Sequence, residues 1–165
     1  FVKARRIAVL VLAFLAMYGN VYRMVMDQGA MQQGRDSLRV MSDRIVDDLT
    51  DLGYFDAAEQ QPVVFVGRPS SNPTFVQGAV YESANRYAQM GRFWLDAECA
   101  SMSWNGVFGT ITRAPVMICD DDQYMAMLEE ETVAQMPIYP QEGYIRQMDG
   151  VLVVKVSEDY KVFED

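Results

Sequence analysis

An unbroken apolar run preceded by basic residues is the feature that most restricts the fold of this chain. Ile7 to Tyr18 are twelve consecutive apolar residues, and the segment continues through Gly19 and Asn20 to Met26, a total of 20 residues. At 1.5 Å per residue, a helix of that length is about 30 Å long, close to the hydrocarbon thickness of a bilayer. The pattern therefore predicts a transmembrane helix within residues 1–26.

The charges divide at the end of this segment. Residues 1–26 contain four basic residues and no acid, whereas the other 139 of the 165 residues hold 10 basic and 23 acidic residues. The net charge of -9 is thus a sum of +4 and -13. By the positive-inside rule the basic end faces the cytoplasm, so residues 27–165 are predicted to form an extracytoplasmic domain. Such an acidic body argues against nucleic acid as a partner.

Three other interpretations of the apolar segment stay open. A buried core helix can also be apolar for twelve residues, and a cleavable signal peptide also combines basic residues with an apolar run, although no A-x-A cleavage site follows Leu15. Mature type IV pilins begin with a methylated Phe and a long apolar helix, but they carry Glu at the fifth position, where this chain has Arg5. Because the chain begins with Phe1, we expect a processed product or a fragment of a longer protein.

The remaining residues predict a small α/β (α+β) domain. An apolar stripe of helical spacing predicts that the helix continues through Asp27 to Gly53; its members are Leu38, Met41, Ile45, Leu49 and Leu52. The continuously apolar Val63–Val66 predicts a strand covered on both faces. Further strands are expected at 115–119, 143–148 and 151–156, the last two joined as a C-terminal hairpin by Asp149-Gly150. The sheet therefore has about four strands.

Two segments between these strands are also assigned. Residues 81–95 are expected to be helical, and Asn105-Gly106 is a turn candidate. Asp120 to Asp122 are predicted to begin a helix that extends to Gln135. These acidic residues complement the positive end of the helix dipole, which lies at the helix start. Three carboxylates could instead bind a divalent cation, but consecutive residues at a helix start point in different directions. We therefore predict a cap and no metal site.

The composition also limits the chemistry. Histidine is absent, which excludes Ser-His and Cys-His catalysis and every His-ligated metal site. Cys99 and Cys119 are the only cysteines, and they are expected either to form a disulfide closing a loop of about 20 residues or to remain reduced and buried. No catalytic residue is predicted.

An aromatic-rich middle region and one arginine are the candidates for substrate binding. Trp94 and Trp104 could stack on sugar rings, although such residues also fill protein cores. Arg68 follows the Val63–Val66 strand, at the kind of position where α/β sheets bind phosphate groups. Pairing of Arg68 with the acidic surface is the alternative.

The order of these segments resembles a known family. An apolar helix leads into PVVFVGRP, then FWLDAECASMSWNG, then MPIYPQEGYIRQMDGVLVVKVSE. This resembles the C-terminal region of bacterial membrane glucosyltransferases of the O-antigen-modifying type II class, the GtrII type. The family's closing signature corresponds to Met136, Pro137, Tyr139, Pro140, Gly143, Val153, Val154 and Lys155. The resemblance extends over essentially the whole chain.

The resemblance implies a polytopic enzyme of the glycosyltransferase C type in a bacterial cell membrane. Such enzymes transfer glucose from a polyprenyl-phosphate carrier to a cell-surface polysaccharide, the glycan acceptor. Their catalytic acids lie in an early extracytoplasmic loop, which would precede Phe1, so the present chain is expected to be inactive alone. Its partners would be the lipid bilayer and the remaining transmembrane part of the parent protein. No cofactor is implied in this region, with a divalent cation as an option in the full-length enzyme.

Two other function classes stay open. The first is a single-pass, membrane-anchored structural or adhesion protein, including a pilin-like filament subunit with no enzymatic activity. The second is a lone soluble α/β enzyme, which the lack of a nucleophile motif or phosphate-binding loop disfavours. The sequence upstream of Phe1 would separate them, because about ten further apolar spans favour the glucosyltransferase and a short basic leader ending in Gly favours the filament subunit.

Overall fold

A computed structural model describes residues 2–75 and 100–160 of the chain. These residues fall into two compact units: 2–33 belong to the first, and 34–75 with 100–160 belong to the second. The predicted helix over 81–95 lies outside the described residues. Within them the fold is mixed, with one long N-terminal apolar helix and a small three-stranded sheet.

Helix α1 spans Val2–Asp51. Its first half contains a stretch of mean hydropathy 1.6, long and apolar enough to cross a bilayer, in which no residue is buried. The helix ends as predicted near Gly53, which has the left-handed φ of 73° that glycine adopts without strain. Its predicted core stripe is confirmed from Leu38 to Leu49, but Leu52 is 62% exposed because it lies beyond the last helical residue.

Three strands form the sheet. They are β1 (Val63–Val66), β2 (Ile145–Met148) and β3 (Val151–Lys155), in the spatial order β1-β3-β2. β1 runs parallel to β3 and β2 runs antiparallel to it. β2 and β3 are joined by Asp149-Gly150, whose φ values of 43° and 83° are those of a tight turn with right-handed strand twist.

The expected fourth strand at 115–119 is reduced to a single bridge. Val63 donates its N–H to the Met117 carbonyl at 2.7 Å, and Cys119 donates to the Val63 carbonyl at 3.0 Å. Pro115 has no N–H to extend this pairing, and Asp120 already caps the next helix. The described part of the sheet therefore has three strands where about four were predicted.

The sheet is covered on both faces, as the apolar β1 predicts. Alternate residues of a strand point to opposite sides. Val63 and Phe65 pack in one cluster, whose other members include Leu38, Ile45, Leu49, Trp104, Phe108 and Val154. Val64 and Val66 pack in a second cluster with members such as Leu128, Val133, Met136 and Val153.

Three short helices complete the domain. α2 (Ala100–Val107) continues into a π-helical turn at Phe108–Thr112, so the predicted Asn105-Gly106 turn is wrong. The helix forms there because its Trp104, Val107 and Phe108 are all buried. α3 (Asp121–Leu128) and α4 (Glu131–Ala134) replace the single helix expected up to Gln135, with a break at Glu129 and Glu130.

The predicted cap of α3 is present. The Asp120 carboxylate accepts a hydrogen bond from the Gln123 N–H at 2.8 Å, and the Gln123 side chain accepts one from the Asp120 N–H. This reciprocal capping box satisfies two backbone donors that the start of a helix would otherwise leave unpaired. The carboxylate thus has a structural function at this position.

Candidate functional site

Trp104 lies in the hydrophobic core. Its ring stacks on Phe65 with centroids 4.3 Å apart and lies 5.9 Å from the ring of Phe108, and only 2% of the residue is exposed. Because the residue is almost completely buried, the indole has no open ring surface for a sugar. Trp94, the other tryptophan proposed for substrate binding, lies outside the described residues.

Arg68 follows the end of β1, as the sequence predicts. Its side chain lies beside the carboxylate of Asp159. Its Nη1 is 3.9 Å from Asp159 Oδ2, and its backbone N–H donates to the Asp159 carbonyl at 3.1 Å. Ser71 Oγ donates to the same carboxylate oxygen at 2.6 Å. The pairing with the acidic surface is thus the arrangement that the structure contains.

Gly67 allows the residues after β1 to approach residues 157–159 closely. A Cβ at Gly67 would lie 2.3 Å from the Ser157 carbonyl oxygen, and φ is 95°. Only glycine fits such a backbone approach. The residues after β1 are therefore packed directly on residues 157–159.

Cys119 is a free, buried thiol in the structure. Burial, together with the negative charges of Asp120 and Asp121, raises its pKa to about 11. The thiol therefore stays protonated at neutral pH and is a poor nucleophile. Cys99 lies outside the described residues, so both alternatives for the pair, a disulfide or two reduced cysteines, stay predictions.

The residues that the structure describes line two shallow clefts, among others, on the domain surface. One has a volume of about 340 Å³ and lies between α1 and Tyr139, where Asp36, Arg44 and Thr74 contribute polar atoms. The other, of about 290 Å³, lies beside β2 and the end of α1, with Glu59 and Arg146 on its walls. Neither cleft contains a nucleophile paired with a base. In residues 2–75 and 100–160, no group of three or more acidic or cysteine side chains could hold a metal ion.

Five of the eight residues that carry the family resemblance are buried in the interior of the domain: Met136, Tyr139, Val153, Val154 and Lys155. Lys155 is fully buried, and its Nζ donates to the Ala134 carbonyl at 2.8 Å and to the Met136 carbonyl at 3.0 Å. The same Nζ lies 2.8 Å from Glu158 Oε2. A buried ammonium is stable only with such partners. Lys155 therefore joins β3 to the end of α4 and to Met136, and we call this set of contacts the interior clamp.

Asn72 is a structural residue that the sequence did not reveal. Its side chain is buried, and its Nδ2 donates to the carbonyls of Tyr139 and Val156. Its Oδ1 accepts from the backbone N–H of Thr74 at 2.8 Å. Asn72 thereby joins the loop after β1 to the signature segment and to the end of β3. No pattern in the sequence separates it from the other turn residues nearby.

Tyr144 connects the signature segment to α1. Its hydroxyl donates to the Asp48 carboxylate, and its ring packs edge-on against Tyr139 with centroids 5.2 Å apart. Burial and the Asp48 carboxylate raise the pKa of Tyr144. The phenol thus stays protonated and keeps its hydrogen bond over the physiological pH range.

No protein-family model, curated protein or solved structure matches this chain. Its function is therefore inferred from its own residues and geometry.

Proposed function

We propose that this chain is the non-catalytic C-terminal part of a polytopic membrane glucosyltransferase. The parent protein would transfer glucose from a polyprenyl-phosphate donor to a cell-surface polysaccharide. Residues 1–26 would be its last transmembrane helix, and residues 27–165 would lie on the extracytoplasmic side of a bacterial cell membrane. The observation that supports this function most is the exposed apolar first half of α1, which is long enough to cross a bilayer.

The exposure of the first half of α1 supports a membrane location. Most large apolar side chains of this half are more than half exposed, including Leu10 at 69% and Phe14 at 62%. A soluble monomer rarely exposes so large a continuous apolar surface to water. Lipid tails would cover it without any change in the helix.

The interior position of the signature supports a non-catalytic role. Met136, Tyr139 and Lys155 are buried. The Met136 carbonyl accepts a hydrogen bond from Lys155 Nζ, and the Tyr139 carbonyl accepts one from Asn72 Nδ2. Buried side chains whose polar atoms are already hydrogen-bonded present no reactive group at the surface. The domain would then stabilise the membrane part or help to position the acceptor glycan, while the catalytic acids lie elsewhere in the parent protein.

The test uses the full-length protein in membrane vesicles. We expect transfer of labelled glucose from polyprenyl-phosphate glucose to the polysaccharide acceptor, and loss of that transfer when Lys155→Ala disrupts the domain. Glu158→Ala, which removes an exposed carboxylate, is the matched control and is expected to retain transfer. A full-length protein with a single membrane span, or with no transfer under any condition, would contradict the proposal.

Sidedness is measured separately. A cysteine at the exposed Glu142, in a Cys99→Ser background, is expected to react with an impermeant maleimide added outside intact spheroplasts. Labelling only after the membrane is opened would show that the domain faces the cytoplasm.

A single-pass structural or filament subunit is the second candidate. The observation that favours it is that α1 is one continuous helix of 50 residues with an exposed first half, a shape suited to packing against copies of itself. This candidate predicts fibres by electron microscopy and no glucose transfer. Monomeric particles would exclude it.

A further inference from the structure

Three cations lie within one turn near the start of α1. The side chains of Lys3, Arg5 and Arg6 are all exposed, and we call these three residues the basic cluster. Along the helix axis they span a rise of about 4.5 Å, and around it they span an arc of about 160°. The basic cluster therefore covers nearly half of the helix circumference at one depth along the helix.

No acid of α1 lies near the basic cluster. The first acidic residue in the sequence is Asp27, about 32 Å from Arg6 along the helix axis. That separation is several times the Debye length of about 8 Å at physiological salt. Within residues 2–75 and 100–160, none of the three cations forms an ion pair. The charge that balances the basic cluster must therefore come from outside the described part of the chain.

The exposed apolar surface of α1 begins directly after the basic cluster. Ile7 is 62% exposed and Leu10 is 69% exposed, and the apolar residues continue to Tyr18. When this surface lies in hydrocarbon, the cations next to it lie at the depth of the phospholipid headgroups. Long Lys and Arg side chains extend to the phosphate groups from that depth, and a guanidinium can bind two phosphate oxygens at once. Lipid phosphates are thus within reach of the basic cluster.

The other end of the apolar segment has a different balance of charge. Arg23 is the single cation there, and the acid Asp27 follows it on the next turn of the helix. Residues 27–165 carry a net charge of -13, which repels an anionic surface. A preference for anionic lipid is therefore expected only in the leaflet at the basic cluster.

We propose that the basic cluster binds the phosphate headgroups of anionic phospholipids in the leaflet that surrounds the start of α1. Cations at one depth match a layer of headgroups, whereas a protein partner would contact a stripe along the helix. The inference requires α1 to lie in a bilayer, which both candidate functions share. It does not depend on glucose transfer.

Spin-labelled lipids test this preference. The full-length protein is reconstituted in vesicles of phosphatidylcholine and phosphatidylglycerol, and electron spin resonance compares the association of each labelled lipid with the protein. We expect phosphatidylglycerol to associate about twofold more strongly or better, because each cation near the surface attracts anionic lipid. Lys3→Gln, Arg5→Gln and Arg6→Gln together should bring this ratio close to one.

The matched control removes the same charge from exposed positions further along α1. Arg35→Gln, Arg39→Gln and Arg44→Gln together are expected to leave the ratio unchanged. Equal losses in the two triple variants would show that net charge alone sets the preference, and this result would overturn the proposal.

A salt series on the wild-type protein needs no substitution. In about 1 M salt the Debye length falls to about 3 Å, so the ratio should fall towards one. Alkaline carbonate extraction shows whether the variant without the basic cluster is still inserted, and if it is not, the salt series decides. A wild-type ratio of one at low salt, or a ratio that salt leaves unchanged, would overturn the proposal.

Discussion

In the half of α1 before Asp27 the large apolar side chains are mostly exposed, whereas in the half after Gly34 one apolar stripe, from Leu38 to Leu49, is buried in the core with the sheet. The two halves belong to one uninterrupted helix and have similar backbone geometry. What differs is where their stability comes from. The second half is stabilised by packing in one core with β1, β3 and α2. The stability of the first half depends on the solvent or lipid that surrounds its exposed side chains. Substitutions that act on one half and leave the other unchanged therefore measure this difference.

The largest effect is expected from truncation of a core residue in the second half. Leu38 is fully buried, so Leu38→Ala should lower the free energy of unfolding by about 2–5 kcal/mol through lost contacts and a cavity. Leu12→Ala removes the same atoms from a side chain that is 66% exposed, and about 0.5 kcal/mol or less is expected. Denaturant unfolding in detergent, followed by fluorescence of the buried Trp104, measures both. Similar losses in the two variants would contradict the contrast between the halves.

The second-largest loss of stability is expected when the interior clamp at Lys155 is removed. Lys155→Met keeps the size of the side chain but leaves the carbonyls of Ala134 and Met136 without their donor, which should cost about 1–3 kcal/mol. The control is Glu158→Gln, which removes the charge on the mostly exposed partner and should cost less than about 1 kcal/mol. Both values come from the same unfolding titration. If Lys155→Met were neutral, the clamp would add nothing to the stability of the domain.

A smaller effect is expected at the start of α3. Asp120→Ala removes the capping carboxylate and should cost about 1 kcal/mol. Asp122→Ala removes an acid from the first turn of the same helix without removing the cap, and about 0.5 kcal/mol or less is expected. Thermal unfolding by circular dichroism is sensitive enough to separate them. A greater loss for Asp122→Ala would mean that the helix dipole, and not the cap, stabilises this helix.

The smallest effect is expected from Cys119, through the pH dependence of the free energy of unfolding. Its pKa is raised from 9.0 to about 11 in the folded protein, so above pH 9 the unfolded chain loses this proton before the folded one does. The contribution to stability is therefore complete below pH 9 and declines as the pH rises towards 11. In a Cys99→Ser background, Cys119→Val should flatten the fall in unfolding midpoint between pH 9 and 11. An unchanged slope would assign the fall to the tyrosines.

Much of this architecture could be predicted because local patterns agreed with tertiary packing. The stripe from Leu38 to Leu49 has helical spacing, Val63–Val66 is continuously apolar, and Asp149-Gly150 has the conformational preference its turn requires. The cap at Asp120 follows from a side chain that reaches its own backbone. In each case the signal that predicts the element lies within a short stretch of the sequence.

The predictions that failed depend on distant partners. Asn105-Gly106 has turn chemistry, but burial of Trp104 and Phe108 against Phe65 holds that segment in a helix. The run at 115–119 is apolar like a strand, yet Pro115 and the cap at Asp120 leave room for one bridge to Val63. Asn72 and Lys155 acquire their roles only through carbonyls far away in the sequence. Trp104, a candidate for substrate binding, lies in the core because it packs against Phe65, which is distant in the sequence.

The strand order has a consequence for synthesis of the chain. β3 lies between β1 and β2, so Val63 and its neighbours remain without their partner strand until residues 151–155 have been made. A ribosome that adds residues one by one will have exposed α1, β1 and α2 long before the strand that joins them is available. Pairing between such distant segments is slow because a long loop must close first. During that interval the apolar β1 is open to aggregation, so prompt insertion of α1 into a bilayer would protect the nascent chain by holding it apart from its neighbours.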